Sequence, residues 1–317
     1  MKFLHVMDPI DRIDITKDTS FVFIREAQDR GHENHYCGIA DLAFDKGRVV
    51  VRSASLRVSE VQGSHADIGE WSWRPAEEFH CVFMRKDPPF DTEFFFSTHL
   101  LSLIDETKTV VFNRASGLRE ATEKMFILRF PELIAETMVS ASPDAILEFR
   151  DRVGGDIVVK PLDGCGGLGI FRISQGDLNT YSILETSTRH GLRPIMAQRF
   201  LPESRAGDMR LLYLDGEPLG AIRRVPKETD LRGNIHVGGT VIPAEIGDFE
   251  KRICATLKPA LEELGIWFAG LDVIGDYLTE VNVTSPTGVQ EANRIGGVRL
   301  ETRVIQFVEK KCGALGR

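Results

Sequence analysis

The chain lacks the marks of a secreted or membrane protein. Its five cysteines are odd in number, widely spaced and in no C-x-x-C pair, a pattern typical of reduced thiols in a cytoplasm. No apolar run is long enough to span a membrane. The N-terminal apolar stretch stops at Asp8-Pro9 and is too short for a signal peptide, so we interpret it as a first buried strand. We therefore expect a cytoplasmic protein without a membrane partner.

Basic tracts and nucleophile signatures are also missing. The 39 lysines and arginines are outnumbered by 47 aspartates and glutamates, and the net charge of −8 argues against nucleic-acid binding. The sequence contains no G-x-S-x-G elbow, no H-E-x-x-H helix and no cysteine–histidine nucleophile pattern, so nucleophilic hydrolysis is not expected. The length of 317 residues allows two domains, or one large domain with insertions.

The most informative stretch is a predicted hairpin of two apolar strands joined by Gly275-Asp276. Glu280 and Asn282 are two residues apart on a strand and therefore share a face. Asp272 joins them if the connecting loop has an odd number of residues, such as 274–276 with a glycine bulge. Two carboxylates and a carboxamide on one face suit Mg²⁺ or Mn²⁺, and magnesium usually bridges substrate phosphates. The hairpin therefore predicts a nucleotide site, with an ordinary solvent-facing hairpin as the alternative.

A glycine-rich loop at 163–169 contains a G-x-G-x-x-G match. The residues after Gly169 alternate as a strand, whereas a dinucleotide fingerprint must open a helix. No Gly-Lys-Ser/Thr follows, so a Walker A loop is excluded as well. What remains is a hairpin tip rich in backbone N–H groups that could cover phosphates. Lys160, at the end of the preceding strand, favours this interpretation over a plain turn.

Several cationic side chains lie in segments that should face the metal hairpin. Arg210 and Arg224 belong to the predicted long strands after Gln198, and Lys124 lies near a predicted helix start. Arginine forks suit phosphate and carboxylate recognition. Each of these residues taken alone is more commonly a surface charge.

The two halves of the chain have different patterns. Residues 1–121 alternate strands with helices, which predicts a parallel sheet covered on both sides. Residues 122–317 contain strand pairs with helices, then long antiparallel strands, a helix near 248–264, the hairpin at 266–287 and a closing helix. The predicted fold class is α/β (α+β), and residues 59–78, with Trp71-Ser72-Trp73, have no assigned role.

These pieces together resemble the bacterial glutathione synthetases, a family of the ATP-grasp superfamily, over nearly the whole chain. The sequence segments that carry the resemblance are residues 7–10, 17–21, 84–93, 160–164, 196–198, 232–234 and 270–287. The resemblance implies an N-terminal pre-ATP-grasp substrate domain at 1–121 and an ATP-grasp domain at 122–317. Within the latter it implies a lid-bearing nucleotide subdomain at 122–200 and a metal and substrate subdomain at 201–317. A homo-oligomer, either a dimer or a tetramer, is also expected.

The resemblance also implies roles for individual residues, with ATP and Mg²⁺ (or Mn²⁺) as cofactors. The expected metal ligands are Asp272, Glu280 and Asn282. The expected catalytic residues are Lys160, Arg210 and Arg224. The expected nucleotide-binding residues are Lys124, Lys160, Gly164, Gly166, Gly167 and the adenine hinge Gln198, Arg199, Phe200 and Leu201. The expected substrate-binding residues are Asp18, Arg85, Asp87, Arg232, Asn234, Ser285 and Thr287.

The chemistry implied is glutathione synthesis. ATP would phosphorylate the cysteinyl carboxylate of γ-glutamylcysteine, and the amine of glycine would attack the acyl phosphate. Two alternatives stay open at this point. One is an ATP-grasp ligase with a different acceptor, and the other is a nucleotide-binding regulatory protein without turnover. Arg223, which doubles the arginine before Val225-Pro226, departs from the expected pattern near the acceptor.

Overall fold

The structure, a computed structural model, describes residues 1–227 and 239–316. Arg232 and Asn234, two of the predicted substrate-binding residues, lie outside the described residues. The strands are β1 Lys2–Val6, β2 Glu33–Cys37, β3 Leu42–Asp45, β4 Arg48–Val58, β5 Ala66–Ile68, β6 Ser72–Pro75, β7 Cys81–Met84, β8 Val110–Phe112, β9 Thr137–Ser140, β10 Asp156–Pro161, β11 Phe171–Ser174, β12 Ile195–Arg199, β13 Asp208–Leu214, β14 Glu217–Val225, β15 Thr240–Pro243, β16 Phe268–Ile274 and β17 Tyr277–Asn282. The α-helices are α1 Thr19–Asp29, α2 Thr92–Leu101, α3 Ala115–Glu120, α4 Pro143–Arg152, α5 Thr180–Ser187, α6 Asp248–Glu263, α7 Val289–Gly296 and α8 Leu300–Gly313. Within these ranges no helix combines the length and apolar character needed to cross a membrane.

The N-terminal sheet has a parallel centre in the order β2-β1-β7-β8. Successive residues of β1 enter different cores: Phe3 packs with residues of α1, and Leu4 packs with residues of α2. The prediction of a parallel sheet covered on both sides is therefore confirmed for this centre. It is wrong for the outer part, where β4 is antiparallel to β2 and carries β3, β5 and β6 as further antiparallel partners.

Helix α1 shows how local sequence fixes the start of an element. The Asp18 side chain caps the helix, because its Oδ1 accepts a hydrogen bond from the Phe21 N–H at 2.6 Å. A short polar side chain in this position satisfies one of the free N–H groups of the first turn. The helix ends at Asp29, two residues before Gly31, whose φ of 80° lies in the region that favours glycine.

The second half of the chain forms two antiparallel sheets. One has the order β11-β10-β12-β9 and the other has the order β15-β14-β13-β16-β17. Helices α4 and α5 cover the first sheet, and their buried Ile146, Phe149 and Leu184 share its core. Helix α6 buries Ile253 and Leu257 in the main core, and α8 closes the chain. The sequence patterns predicted α6 and α8 but not α7.

The β16–β17 hairpin places Asp272 opposite Glu280, and Gly270 opposite Asn282. The predicted three-residue loop is wrong, because Ile274 pairs with Tyr277 across the two-residue turn Gly275-Asp276. The extra residue is Thr279, which forms a bulge in β17 between the pairs Val273–Leu278 and Asp272–Glu280. A bulge shifts the register by one residue and so moves side chains to the other face. The three polar side chains consequently share one face, as predicted, for a different reason.

Candidate active site

A cleft open to solvent, with about 960 Å³ of empty space, lies between the four-stranded and five-stranded sheets. Apolar side chains form part of its walls: Ala135, Val158, Ile170, Phe200, Leu201, Ile274 and Leu278. Charged and polar side chains also line it, among them Lys160, Gln198, Asp208, Arg224, Asp272 and Glu280. The cleft can therefore accommodate a ligand with one apolar part and one strongly anionic part.

Asp272 is the electrostatic centre of this cleft. It is buried, and Arg210 holds both of its oxygens, with Nε–Oδ1 at 2.5 Å and Nη2–Oδ2 at 2.9 Å. Arg224 Nη2 lies 2.9 Å from the same Oδ2. Burial by itself would raise the pKa of Asp272, but the charges and hydrogen bonds of the two arginines outweigh it and hold that pKa well below its usual range. Asp272 is thus ionised and shared by two buried cations.

Arg224 joins this centre to a further acid, because it also pairs with Asp208. Burial raises the pKa of the Asp208 carboxyl, and the neighbouring Arg224 charge opposes that rise. The cross-strand register explains the arrangement, since Asp208 pairs with Arg224 on β14 while Arg210 pairs with Asp272 on β16. Sequence reasoning did not identify Asp208.

Glu280 pairs with Lys124, whose Nζ lies 3.4 Å from its Oε1. Lys124 is also buried against Glu123, the residue before it. Burial and the nearby Glu280 charge raise the pKa of Glu123 to about 7, although Lys124 opposes this shift. Burial would also raise the pKa of Glu280, but Lys124 and Lys160 lower it. Glu123 was missed by sequence reasoning, because no local pattern indicates that it points inward beside Lys124.

Lys160 lies on β10 and is buried, with its Nζ donating to Gln198 Oε1 at 2.8 Å. Gln198 in turn donates from Nε2 to Thr137 Oγ1 at 2.9 Å. Burial lowers the pKa of Lys160, partly offset by the charge of Glu280. The predicted phosphate lysine and the first residue of the predicted hinge are therefore in direct contact. Each fixes the orientation of the other.

The glycine loop joins β10 to β11, which confirms that it is a hairpin connection and not the start of a helix. The Gly164 carbonyl accepts a hydrogen bond from Lys124 Nζ at 2.8 Å. A Cβ at Gly164 would lie 2.6 Å from Pro161 Cγ, so a side chain there would collide with the end of β10. Gly166 and Gly167 have φ of 64° and 81°, a region that favours glycine.

The predicted hinge follows the end of β12 at the cleft wall. The N–H groups of Arg199 and Phe200 donate to Glu136 O and Asp156 O, each at 3.0 Å. Leu201 follows them and lines the cleft beside Phe200. The guanidinium of Arg172 stacks on the Phe200 ring, with Cζ 4.0 Å from its centroid. Phe200 and Leu201 thus supply apolar side chains to this side of the cleft, next to the Arg172 guanidinium.

The segment Ser285–Thr287 is held from two sides. Arg210 donates from Nη1 to Thr287 O at 3.2 Å, and Arg85 donates from Nη2 to Pro286 O at 3.1 Å. Arg85 is buried between the rings of Phe23 and Phe268, at 5.5 and 5.9 Å, and burial lowers its pKa. Arginines from the N-terminal sheet and from the five-stranded sheet thus meet at one backbone segment.

Two predicted substrate-binding acids lie near Arg85. Burial raises the pKa of Asp18 to about 6, with Asp87 adding to the rise and Arg85 opposing it. Asp87 itself is exposed, and its N–H donates to Asp8 Oδ2 at 2.9 Å. Ser285 is buried. The described members of the predicted substrate set therefore lie around the Arg85–Pro286 contact, beyond the hairpin that carries Asp272.

Asn113, which follows β8, ties the N-terminal sheet to the segments on either side of the β16–β17 hairpin. Its Oδ1 accepts from the Trp267 and Phe268 N–H groups at 2.9 and 3.0 Å. Its Nδ2 donates to Phe268 O at 2.7 Å and Val283 O at 3.0 Å. Sequence reasoning gave Asn113 no role. A lone asparagine after a strand carries no signal of a contact across more than 150 residues.

The hairpin face has the chemistry of a hard-cation site. Asn282 Nδ2 lies 3.2 Å from Asp272 Oδ2, so these two predicted ligands are adjacent, and Glu280 is the cross-strand partner of Asp272. Across residues 1–227 and 239–316 no three His, Cys, Asp or Glu side chains are grouped to hold a metal. Two carboxylates and one carboxamide fit Mg²⁺ when substrate phosphates supply further oxygens. The donor set fits the predicted ion.

Known proteins resemble this chain over almost its full length. Residues 1–119 match the N-terminal domain of prokaryotic glutathione synthetase, and residues 123–297 match its ATP-grasp domain. A glutathione synthetase of Synechocystis sp. is 42% identical over 320 residues, which cover 98% of this chain and 100% of that protein. A glutathione synthetase of Brucella melitensis is 42% identical over 305 residues, with coverage of 96% and 97%.

Solved structures with the same fold include more distant proteins. The D-cycloserine synthetase DcsG matches with a TM-score of 0.65 at 16% identity, covering 97% of this chain and 100% of that one. The ATP-grasp ligase PsnB, complexed with a minimal precursor, matches with a TM-score of 0.63 at 18% identity, covering 98% of both chains. At such identities the likeness concerns the fold, and the fold is that of the ATP-grasp proteins. On the family matches and the two relatives at 42% identity, this chain belongs to the prokaryotic glutathione synthetase family.

Proposed function

We propose that this chain is a glutathione synthase, which uses ATP to join γ-glutamylcysteine to glycine and releases ADP and phosphate. The observation that carries the proposal is the cluster of Lys124, Lys160, Arg210 and Arg224 around the carboxylates of Asp272 and Glu280. In a chain of the glutathione synthetase family, this is the charge pattern that phosphoryl transfer to a carboxylate requires. Negative charge accumulates on the transferring group, and preorganised cations stabilise it.

The cleft supports ATP as the phosphoryl donor. The apolar side chains of Phe200 and Leu201 suit a purine, and Lys160 lines the same cleft. Lys124 and Lys160 would bind the phosphates, with the backbone N–H groups of the 163–169 loop above them. The loop carbonyl of Gly164 is already fixed to Lys124. Closure of the loop would therefore bring its N–H groups toward the same phosphates.

Asp272, Glu280 and Asn282 would hold Mg²⁺ or Mn²⁺. When bound, the ion would neutralise charge on the nucleotide phosphates and on the transferring phosphoryl group. Without a cation, the Asp272 carboxylate pairs with the guanidinium groups of Arg210 and Arg224. A cation on Asp272 would compete with these arginines and leave their N–H groups available to the substrate. The same residues can thus hold the site together before binding and act on the substrate afterwards.

The reaction would proceed in two steps. An oxygen of the cysteinyl carboxylate attacks the γ-phosphorus of ATP, the bond to the β–γ bridging oxygen breaks, and ADP leaves. The neutral amine of glycine then attacks the carbonyl carbon of the acyl phosphate. Phosphate leaves with the oxygen that came from the carboxylate, and the amine loses a proton. Arg210 and Arg224 would stabilise the charge on the transferring phosphoryl and on the tetrahedral intermediate.

The peptide substrate would lie between Arg85 and the Ser285–Thr287 segment. Asp18 and Asp87 would complement an ammonium group, and Arg85 a carboxylate, which fits a γ-glutamyl end. Arg232 and Asn234, outside the described residues, belong to this part of the proposal through the family resemblance alone. Water must be kept from the acyl phosphate, which assigns the glycine loop a covering role.

A cytoplasmic location and a dimer or tetramer complete the proposal. None of the five cysteines forms a disulfide, which is consistent with a reducing compartment. Cys165, on the glycine loop, has its pKa raised by burial and by the charge of Glu123, so its thiol is not activated as a nucleophile.

The test is phosphate release by purified protein with ATP, Mg²⁺ and γ-glutamylcysteine, with and without glycine, and with mass detection of the product. We expect glycine-dependent phosphate release and glutathione in equal amount. Phosphate release that does not depend on glycine, or a product without the added glycine mass, would contradict glycine as the acceptor. ATP binding without any turnover would instead favour a regulatory protein that retained the fold.

A further inference from the structure

The outer edge of the N-terminal sheet, formed by residues 66–75, has no role in the site described above. Strand β6 pairs with β4 through residues 50–53, and its other edge has no neighbouring strand within the described ranges of the chain. An open edge offers unpaired backbone N–H and C=O groups, and proteins usually cover or disrupt such edges. This edge therefore needs an explanation in terms of a partner or of a protective device.

Two of the three tryptophans of the chain lie at this edge. Trp73 is 57% exposed and Trp71 is 38% exposed. Two neighbours contact Trp71. The Tyr36 ring centroid lies 5.7 Å from the Trp71 ring centroid, and the Arg52 guanidinium lies 5.3 Å from the Trp71 ring centroid. Arg52 is also the cross-strand partner of Trp73, so both indoles lie on one face. Exposed tryptophans held in place by their neighbours are typical of protein–protein contacts.

The charges beside the tryptophans are complementary to each other under a two-fold rotation. The sequence is Glu70-Trp71-Ser72-Trp73-Arg74. If two copies pair antiparallel about Ser72, each Trp71 lies opposite the other copy's Trp73, and each Glu70 lies opposite the other copy's Arg74. Edge charges of a single sign would repel each other across such an axis. Here the axis brings opposite charges together.

Both charged residues are available for this contact. Glu70 is exposed and makes no ion pair within residues 1–227 and 239–316. The Arg74 side chain is 33% exposed and lies 3.9 Å from Glu78.

We propose that the β6 edge pairs with the β6 edge of a second copy of this chain, antiparallel about Ser72, to form a continuous sheet across a two-fold axis. The contact places two Trp71–Trp73 pairs on one face and two Glu70–Arg74 pairs at its ends. Such an interface is isologous, because the same patch serves both copies. The Lys160 and Asp272 cleft belongs to the other two sheets, so the interface leaves it accessible.

The test is a charge exchange followed by sedimentation velocity across the micromolar range. Glu70→Arg alone and Arg74→Glu alone each create two like-charged cross-strand pairs. We expect each to raise the dimer dissociation constant about tenfold to a hundredfold. The double variant restores opposite charges with their positions exchanged, and we expect its dissociation constant to return to within a few-fold of the wild type. Trp73→Ser should weaken association at least about tenfold.

A matched control is Glu148→Arg, the same charge reversal at an exposed position of α4, which should leave association unchanged. Far-UV circular dichroism and ATP turnover check that all variants are folded. A wild-type chain that stays monomeric would overturn the proposal. Association that survives both single reversals, or that the folded double variant does not restore, would overturn it too. None of these outcomes depends on whether the acceptor is glycine.

Discussion

Replacement of Asp272 by asparagine tests the electrostatic centre of the cleft without any ligand. Asparagine keeps the shape of the side chain and one acceptor oxygen but removes the charge that Arg210 and Arg224 share. Loss of one partner from a buried ion pair costs about 3–5 kcal/mol. Arg224 keeps Asp208, and Arg210 keeps the Thr287 carbonyl. We therefore expect Asp272→Asn to lower the unfolding free energy at pH 7 by about 3 kcal/mol, the lower end of that range.

The difference in unfolding free energy between the wild type and Asp272→Asn should also depend on pH in a defined direction. The pKa of Asp272 lies below its ordinary value, because the two arginines outweigh burial. An aspartate with a depressed folded pKa contributes its stability above the unfolded pKa, about 3.9, and loses it as the pH falls from there toward the folded pKa. The unfolding free energy of the wild type should thus exceed that of Asp272→Asn by a constant amount near neutral pH. The excess should shrink below about pH 4.

Urea unfolding of both proteins between neutral and acidic pH measures this difference. Asp276→Asn is the matched control, since Asp276 is exposed in the turn of the same hairpin, and it should change the free energy by less than about 0.5 kcal/mol. A difference under about 1 kcal/mol at pH 7 would refute the reasoning. A difference that grows as the pH falls through the acidic range would refute it as well, because the sign of the linkage would be wrong.

Three further variants have distinct expected outcomes. Lys160→Met removes a buried cation and leaves Gln198 Oε1 without its donor, so ATP affinity measured by calorimetry should fall about tenfold to a hundredfold, and the unfolding free energy measured in urea should fall by about 1–3 kcal/mol. Asn113→Ala leaves the four backbone groups that Asn113 serves without a partner, so unfolding should require about 3–5 kcal/mol less, measured in urea. Alanine at both Gly166 and Gly167 strains a loop with positive φ, so ATP hydrolysis should rise relative to ligation in a coupled assay, and an unchanged ratio would contradict the covering role.

The features that sequence could predict are those that depend on neighbouring residues. Asp18-Thr19-Ser20 predicts the start of α1, because a cap acts within one turn, and the cap is present at 2.6 Å. The alternation of the residues after the glycine loop predicts a strand hairpin, and β11 follows the loop. The shared face of Glu280 and Asn282 follows from a period of two.

The features that sequence could not predict depend on distant partners. The bulge at Thr279 that aligns Asp272 contains no glycine and is set by the pairing of β16 with β17. The short strands β5 and β6 form because β4 extends beside them. Glu123 points inward because Lys124 and Glu280 surround it. None of these contacts leaves a pattern within a window of a few residues. The boundary at residue 121 and the individual residue roles stay predictions.

The central claim is that the cysteinyl carboxylate is activated as an acyl phosphate and captured by glycine. The most direct measurement uses γ-glutamylcysteine with oxygen-18 in both oxygens of that carboxylate, together with ATP, Mg²⁺ and glycine, and determines the label in phosphate and peptide by mass spectrometry. We predict that each phosphate released carries one labelled oxygen and each glutathione formed keeps one. Unlabelled phosphate, with glutathione formed or not, would contradict the account.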